Sequence, residues 1–285
     1  MTSTHAGPGG GSIARPEGGS IVFDRAAGYY DATRGLPPEA SEAVADRVEA
    51  ALGPTVRGRR RRAARLLEVG VGTGRIALPL HRRGHRVIGV DLSLAMMAEY
   101  RRKAAAAGLA APPLVRADVT RLPFRDASVD AVVEVHVLHL VPGWRRALDE
   151  LRRVLVPGGT VLVGRGGGHA EDETSPRNVV SRRMGELAGG PPHVGARDDG
   201  EKLEALAALG GVAEPLEPVR WVGEETWGDA LAEVEGRCYS HAWRVPEDVW
   251  LEQAARLRAE VEAEHPDLDE PVSFPSTFQL TAVRF

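Results

Sequence analysis

Between Ala63 and Arg165 short apolar runs alternate with helical patterns, and this alternation restricts the fold more than any other feature of the chain. A strand that rejoins its sheet in parallel needs a crossover, usually a helix. Repeated strand and helix units therefore predict a parallel sheet covered on both faces. The strand candidates are Ala64 to Val69, Arg86 to Val90, Leu114 to Ala117, Val129 to Val135 and Thr160 to Val163. Helical patterns fill Arg75 to Arg83, Ser93 to Ala107 and Trp144 to Val154. Ser93 is placed to cap the second helix, and Pro157-Gly158-Gly159 to end the third and turn the chain into the fifth strand. The pattern predicts an α/β, Rossmann-like doubly wound fold.

The flanks read differently. Residues 1 to 20 form a glycine-rich stretch with few apolar side chains, expected to be a flexible tail. Residues 21 to 62 predict a helical lead-in, with Pro37 and Pro38 suited to a first helical turn. From 166 to 285 the expectation is a cap followed by the remainder of the sheet. It has helical stretches at Val179 to Leu187, Glu201 to Leu209, Thr226 to Arg237 and Pro246 to Glu264, and strands at Pro218 to Val222 and Thr277 to Phe285. Residues 21 to 285 are read as one domain. With 43% hydrophobic and 27% charged residues, most of the chain has the composition of a folded protein. A net charge of −4 supplies no global attraction to phosphate backbones or anionic membranes. No run approaches the roughly 18 apolar residues of a membrane helix, and no signal peptide is recognisable, so a cytoplasmic protein is expected. A single cysteine, Cys238, excludes an intrachain disulfide, and no Cys and His spacing suggests a metal.

The most informative segment is Leu66-Leu67-Glu68-Val69-Gly70-Val71-Gly72-Thr73-Gly74-Arg75-Ile76, a strand passing through a glycine turn into a helix. Glycines there allow a sharp turn and close approach of a ligand to the backbone. Their spacing, G-x-G-x-G, departs from the G-x-G-x-x-G of nicotinamide-binding turns, which disfavours a nicotinamide oxidoreductase. Asp91 closes the second strand about twenty residues after the turn, where a carboxylate can accept both hydroxyls of a ribose. Asp118 follows the third strand, within reach of an adenine amino group. Three successive strand ends thus carry Glu68, Asp91 and Asp118.

On these residues the chain resembles the class I S-adenosylmethionine-dependent methyltransferases, in the branch that includes quinone-biosynthesis and other small-molecule methyltransferases. The resemblance covers about residues 21 to 165. It is carried by Phe23-Asp24 with Tyr30-Asp31 and Arg34, Glu68 through Gly74, Asp91, Ala117-Asp118-Val119, and Leu151 through Gly159. It implies a seven-stranded sheet whose last strand is antiparallel and inserted between the fifth and sixth. It also implies S-adenosyl-L-methionine as cofactor, with Glu68, Gly70 and Gly72 around the methionine portion and Asp91 on the ribose. Asp118 and Val119 would meet the adenine, and Leu92 and Met96 its face. Tyr30 and Arg34 would close over the cofactor and meet its carboxylate. By its position alone, the segment from Gly166 to Arg197 is expected to cap the acceptor.

A sulfonium-borne methyl is already activated, so the protein mainly aligns the reactants and excludes water, and a base is needed only when the acceptor must lose a proton. His136 and His139, three apart after the fourth strand, are the candidates for that base and are spaced to share a helical face. Trp221, Trp227, Tyr239, His241 and Trp243 either line an apolar acceptor pocket or form a core between the C-terminal helices and the sheet. The expected partner is a small-molecule methyl acceptor. Two alternatives stay open: an RNA-directed methyltransferase using the basic stretch Arg57 to Arg65, and a non-catalytic S-adenosylmethionine-binding protein.

Overall fold

A computed structural model describes residues 19–58, 64–166, 174–189 and 194–285, without the side chains of 53–58. Most of the expected tail and of the basic stretch Arg57 to Arg65 lies outside the described residues, as do parts of the segment from 166 to 197.

After a 3-10 turn at Asp24–Ala26, the lead-in forms α1 (Tyr30–Arg34) and α2 (Pro38–Gly58), the latter opening at the expected proline. The core then runs β1 (Arg65–Val69), α3 (Ala77–Arg82), β2 (Arg86–Asp91), α4 (Leu94–Ala106), β3 (Leu114–Arg116), β4 (Val129–Val135), α5 (Trp144–Val154) and β5 (Leu155–Gly166). The remainder is α6 (Pro176–Ala188), α7 (Asp199–Ala208), β6 (Val212–Pro215), β7 (Val219–Glu225), α8 (Trp227–Glu235), α9 (Glu247–Glu264) and β8 (Val272–Arg284). Side-chain oxygens of Ser93, Ser175, Asp198 and Thr226 accept orphan amides at the starts of α4, α6, α7 and α8.

The sheet order is β3-β2-β1-β4-β5-β8-β6, with β7 also on β8. β1 to β5 are parallel, and β8 is antiparallel to β5 and to both β6 and β7. Eight segments occupy seven positions, because β6 and β7 lie end to end along one edge of β8. Leu216 N–H donates to the Leu280 carbonyl at 2.9 Å, and Pro218 stands where the interruption falls. The inserted antiparallel strand is as expected from the family.

Several boundaries differ from the sequence reading. β6 was not anticipated: all four of its residues are exposed and have no period-2 apolar pattern, so only pairing with β8 makes them a strand. β8 begins at Val272 rather than Thr277, because β7 supplies partners as far as that residue. Pro157-Gly158-Gly159 does not end α5. That helix gives way to extended backbone at Leu155, and the triplet lies in an irregularity between the Val129↔Leu155 and Ala131↔Thr160 pairs, with Gly158 at φ 78°.

Alternation along β1 distributes the layers. Leu66 packs with α2, α3 and α4 side chains such as Val48, Leu80 and Tyr100, whereas Leu67 and Val69 pack with Leu148 and Leu151 of α5 and Leu206 of α7. A third core joins α6, α8 and α9 around Met184, Leu231, Trp243 and Trp250, with Phe23, Tyr29 and Tyr30 of the lead-in against it. Trp227 and Trp243 belong to this cap core, while Trp221 packs with the first. The aromatic group is thus split between two cores.

Trp250 is fully buried and donates its indole N–H to the Val234 carbonyl at 2.8 Å. Trp250→Ala is expected to lower unfolding free energy by about 3–5 kcal/mol in a denaturant titration, the usual result of emptying an aromatic core site.

Candidate functional site

The parallel register places strand ends side by side: Val69 pairs with Val90 and with Glu134, and Asp91 with Arg116. Beyond β1 the chain turns through Gly70 and Gly72, at φ 63° and 52°, a region costly for other residues. A Cβ on Gly70 would lie 2.2 Å from Val137 Cγ2, and one on Gly72 would lie 3.2 Å from Met96 Cε. The turn therefore runs against the segment after β4 and the start of α4.

Above this edge opens a cavity of about 690 Å³, the open solvent at its entrance included. Gly70, Gly72, Asp91, Met96, Asp118 and His136 line it, together with Leu92, Val119 and Tyr30. Asp91 is anchored by two backbone donors, Gly72 N–H to Oδ2 and Ser93 N–H to Oδ1, each at 2.8 Å. Burial raises its pKa, and these amides oppose the rise. Both oxygens keep lone pairs for further donors. Asp118 is fixed by Thr120, whose N–H and hydroxyl both donate to Oδ1 at 2.8 Å.

Three sequence candidates lie away from the cavity wall. Arg34 closes α1 with its guanidinium over the rings of Tyr239 and Tyr30, at 4.6 and 5.6 Å, donating to Thr33 Oγ1 and the Cys238 carbonyl. Those aromatic faces and oxygens hold it on the cap side. Glu68 is buried on the Leu66 side of β1 at 3% exposure, and its Oε2 has no hydrogen-bond partner. Burial is the main reason its pKa rises to about 8, against the opposing pull of Arg75.

His139 is the third, and the shared helical face expected for the two histidines does not form. His136 has a left-handed backbone, φ 57°, which delays the 3-10 turn to Leu138–Leu140. His139 is consequently exposed, its ring 6.4 Å from that of His136 and nearly perpendicular to it. His136 Nε2 lies 2.7 Å from the Gly166 carbonyl oxygen. A carbonyl only accepts, so Nε2 carries the proton and Nδ1 is the accepting nitrogen of the neutral ring.

Other contributors were not singled out from sequence. Asp31 on α1 accepts from Thr73 Oγ1 and from Lys103 Nζ, both at 2.6 Å, and Asp24 accepts from Ser93 Oγ at 2.6 Å. The lead-in is thereby latched to the glycine turn and to the start of α4. The acids of Phe23-Asp24 and Tyr30-Asp31 were visible in the motif, but their partners lie 42 to 72 residues away along the chain. Among the described residues no group of three His, Cys, Asp or Glu is arranged to hold a metal, and no helix is long and apolar enough to cross a membrane.

Residues 67–163 match the family model described as a methyltransferase domain. Over 101 residues the chain is 42% identical to a demethylmenaquinone methyltransferase of Thermus thermophilus, covering 35% of this chain and 46% of that protein. Over 103 residues it is 39% identical to a phosphatidylethanolamine N-methyltransferase of Cereibacter sphaeroides, covering 36% and 50%. The chain thus spans about half the length of these curated relatives. The solved structure of the YcgJ protein from Bacillus subtilis superposes with a TM-score of 0.52 at 20% identity, over 83% of this chain and 98% of that one, a likeness of fold.

The alternating α/β core, its inserted antiparallel strand and a cavity at the glycine turn define a Rossmann-like cofactor-binding protein. More particularly, residues 67–163 match a methyltransferase domain, the class the motifs resembled, and S-adenosylmethionine is the cofactor of that class. The residues present fit that cofactor: Asp91 faces the cavity with accepting capacity to spare, and the orphaned Glu68 oxygen lies beside the turn, where an ammonium group would give it a partner.

Two outcomes are expected. Gly70→Ala should weaken S-adenosylmethionine binding at least about tenfold in calorimetric titration, since its Cβ must displace Val137 or the turn. Glu68, with a folded pKa near 8 above an ordinary 4.5, binds more protons in the native than in the unfolded state between those values. Stability without ligand therefore falls as pH rises from about 4.5 to 8, by an amount on the order of a few kcal/mol. Glu68→Gln removes this loss: its melting temperature should exceed that of the unsubstituted protein by several degrees at pH 8.5 and converge with it near pH 4.5. A difference independent of pH would show that burial of the charged carboxylate is not the cause.

Proposed function

We propose that the protein transfers the methyl group of S-adenosylmethionine to a small-molecule acceptor, by in-line displacement at the mouth of the cavity beside His136. The observation that carries this reading is the cavity in which the Gly70 and Gly72 backbone, Asp91, Asp118 and His136 converge. In this reading Asp91 accepts the ribose hydroxyls, and Asp118 accepts an adenine amino group through Oδ2. Leu92, Met96 and Val119 supply apolar contacts to the base, and Glu68 pairs with the methionine ammonium. When bound, the cofactor supplies a methyl group already activated on a sulfonium sulfur.

The chain's remaining work is orientation, exclusion of water and, for an acidic acceptor, proton removal. Phe23 and Tyr30 from the lead-in and Val137, Leu140 and Val141 from the segment after β4 supply an apolar part of the cavity wall. Such a wall suits an acceptor with apolar surface. In this reading His136 takes the acceptor's proton at Nδ1, and the Gly166 carbonyl, 2.7 Å from Nε2, holds the Nε2–H and stabilises the resulting imidazolium. His139, exposed and off the wall, has no such role. Relatives named for a quinone precursor and for a phospholipid amine show that the acceptor does not follow from the core match alone.

Calorimetric titration with S-adenosylmethionine and S-adenosylhomocysteine, alongside NADH and the Asp91→Ala variant, tests the reading. Micromolar binding of the first two, weakened at least about a hundredfold in Asp91→Ala, is expected. Equal binding of NADH, or no binding of either sulfur compound, overturns it.

A further inference from the structure

Glu134 stands one residue before the end of β4 and is completely buried, next to Val132, Val133 and Val135 in the strand. A carboxylate in such a place is costly unless every oxygen is paired. Here Oε1 accepts the amides of Val137 and Leu138, at 3.1 and 3.2 Å, and Oε2 accepts Lys202 Nζ at 3.0 Å. Lys202 belongs to α7, beyond the residues of the family match, and is itself 6% exposed. Its ammonium also meets Asp199 at 2.6 Å.

The two amides capped by Glu134 begin the turn that immediately follows His136. A left-handed backbone is uphill for histidine and persists only where its surroundings over-determine it. The same stretch grips the other side of the His136 contact. Asp199 pairs with Arg165 at 3.6 Å, next to Gly166, whose carbonyl accepts His136 Nε2. Just upstream, the amides of Gly195 and Ala196 donate to the carbonyls of His139 and Leu138, both at 3.1 Å. A Cβ on Gly195 would lie 1.9 Å from the Leu138 oxygen, so the two segments are in close backbone contact.

We infer that Lys202, acting through Glu134, is a positioning residue that holds His136 in its cavity-facing, Gly166-bonded orientation, making the start of α7 part of the acceptor side. This rests on His136 being the proton acceptor proposed above. A plain structural role would be met as well by apolar side chains, since replacing a buried ion pair with packed hydrocarbon is often neutral for stability. The orientation of His136 would not survive that exchange.

The test reads the imidazole nitrogens of His136 by NMR in the ¹⁵N-labelled full chain, assigned with His136→Gln. The unsubstituted protein is expected to show one protonated and one unprotonated nitrogen, the fixed Nε2–H tautomer. Lys202→Arg should keep this pattern. Lys202→Met should lose it to tautomer averaging, while S-adenosylhomocysteine affinity stays within about threefold. Should Lys202→Met fail to fold, Glu134→Val/Lys202→Met buries no bare charge and should show the same loss in a folded protein. A wild-type His136 pattern in either folded variant overturns the inference. The signals are read without ligand, so failure of the unsubstituted protein to bind S-adenosylhomocysteine would overturn the cofactor reading and leave the inference to be decided on its own.

Discussion

The passage of β1 into its glycine turn is the constraint on which the rest of the site depends. Parallel strands buried on both faces end at a common edge, and the first of them must leave that edge without filling the space above it. Gly70 and Gly72 do so with left-handed backbones, which lets Val137 and Met96 close in to distances that a side chain on the turn would forbid. The Gly72 amide, freed by the same turn, anchors Asp91. One local geometry thereby shapes the cavity floor, orients its principal carboxylate and sets the position of the segment after β4.

Three acids along this edge, Glu68 and Glu134 buried and Asp91 half-buried, meet the cost of desolvation in different ways, and the differences sort their roles. Asp91 is held by backbone amides and stays open to a ligand. Glu134 is closed off by two amides and an ammonium, which suits a fixed structural part. Glu68 has an oxygen with no partner, and burial lifts its pKa to about 8. An unsatisfied buried carboxylate is a source of instability in the free protein and of binding energy toward a cation.

The cap has a core of its own, yet it is not independent of the cofactor edge. Arg177 of α6 donates to the Thr33 carbonyl at 2.7 Å and to Glu233 of α8 at 2.8 Å, so lead-in and cap share one half-buried charged group. Phe23 packs edge-on against Trp243 at 5.0 Å while also lining the cavity. Asp24 and Asp31 carry the connection onward to α4 and the glycine turn. The short stretch from Phe23 to Arg34 thereby touches the cavity, the cap and the glycine turn at once.

Local sequence determined the alternation of strands and helices, the glycine turn and the strand-end acids, because strand periodicity, helix capping and left-handed turns depend on neighbouring residues. The cofactor class was legible for the same reason: Glu68, Gly70, Gly72 and Asp91 lie within one strand–helix–strand unit. Tertiary structure alone decided the rest. β6 exists only because β8 offers it partners. Arg34 turns toward aromatic faces supplied by the cap. The histidine spacing suggested a shared helical face, but a left-handed residue whose following turn is capped by Glu134, with Lys202 68 residues away, separates the two rings. Such contacts join segments far apart in the chain, and no periodicity along the chain encodes which distant side chain will satisfy a buried polar group.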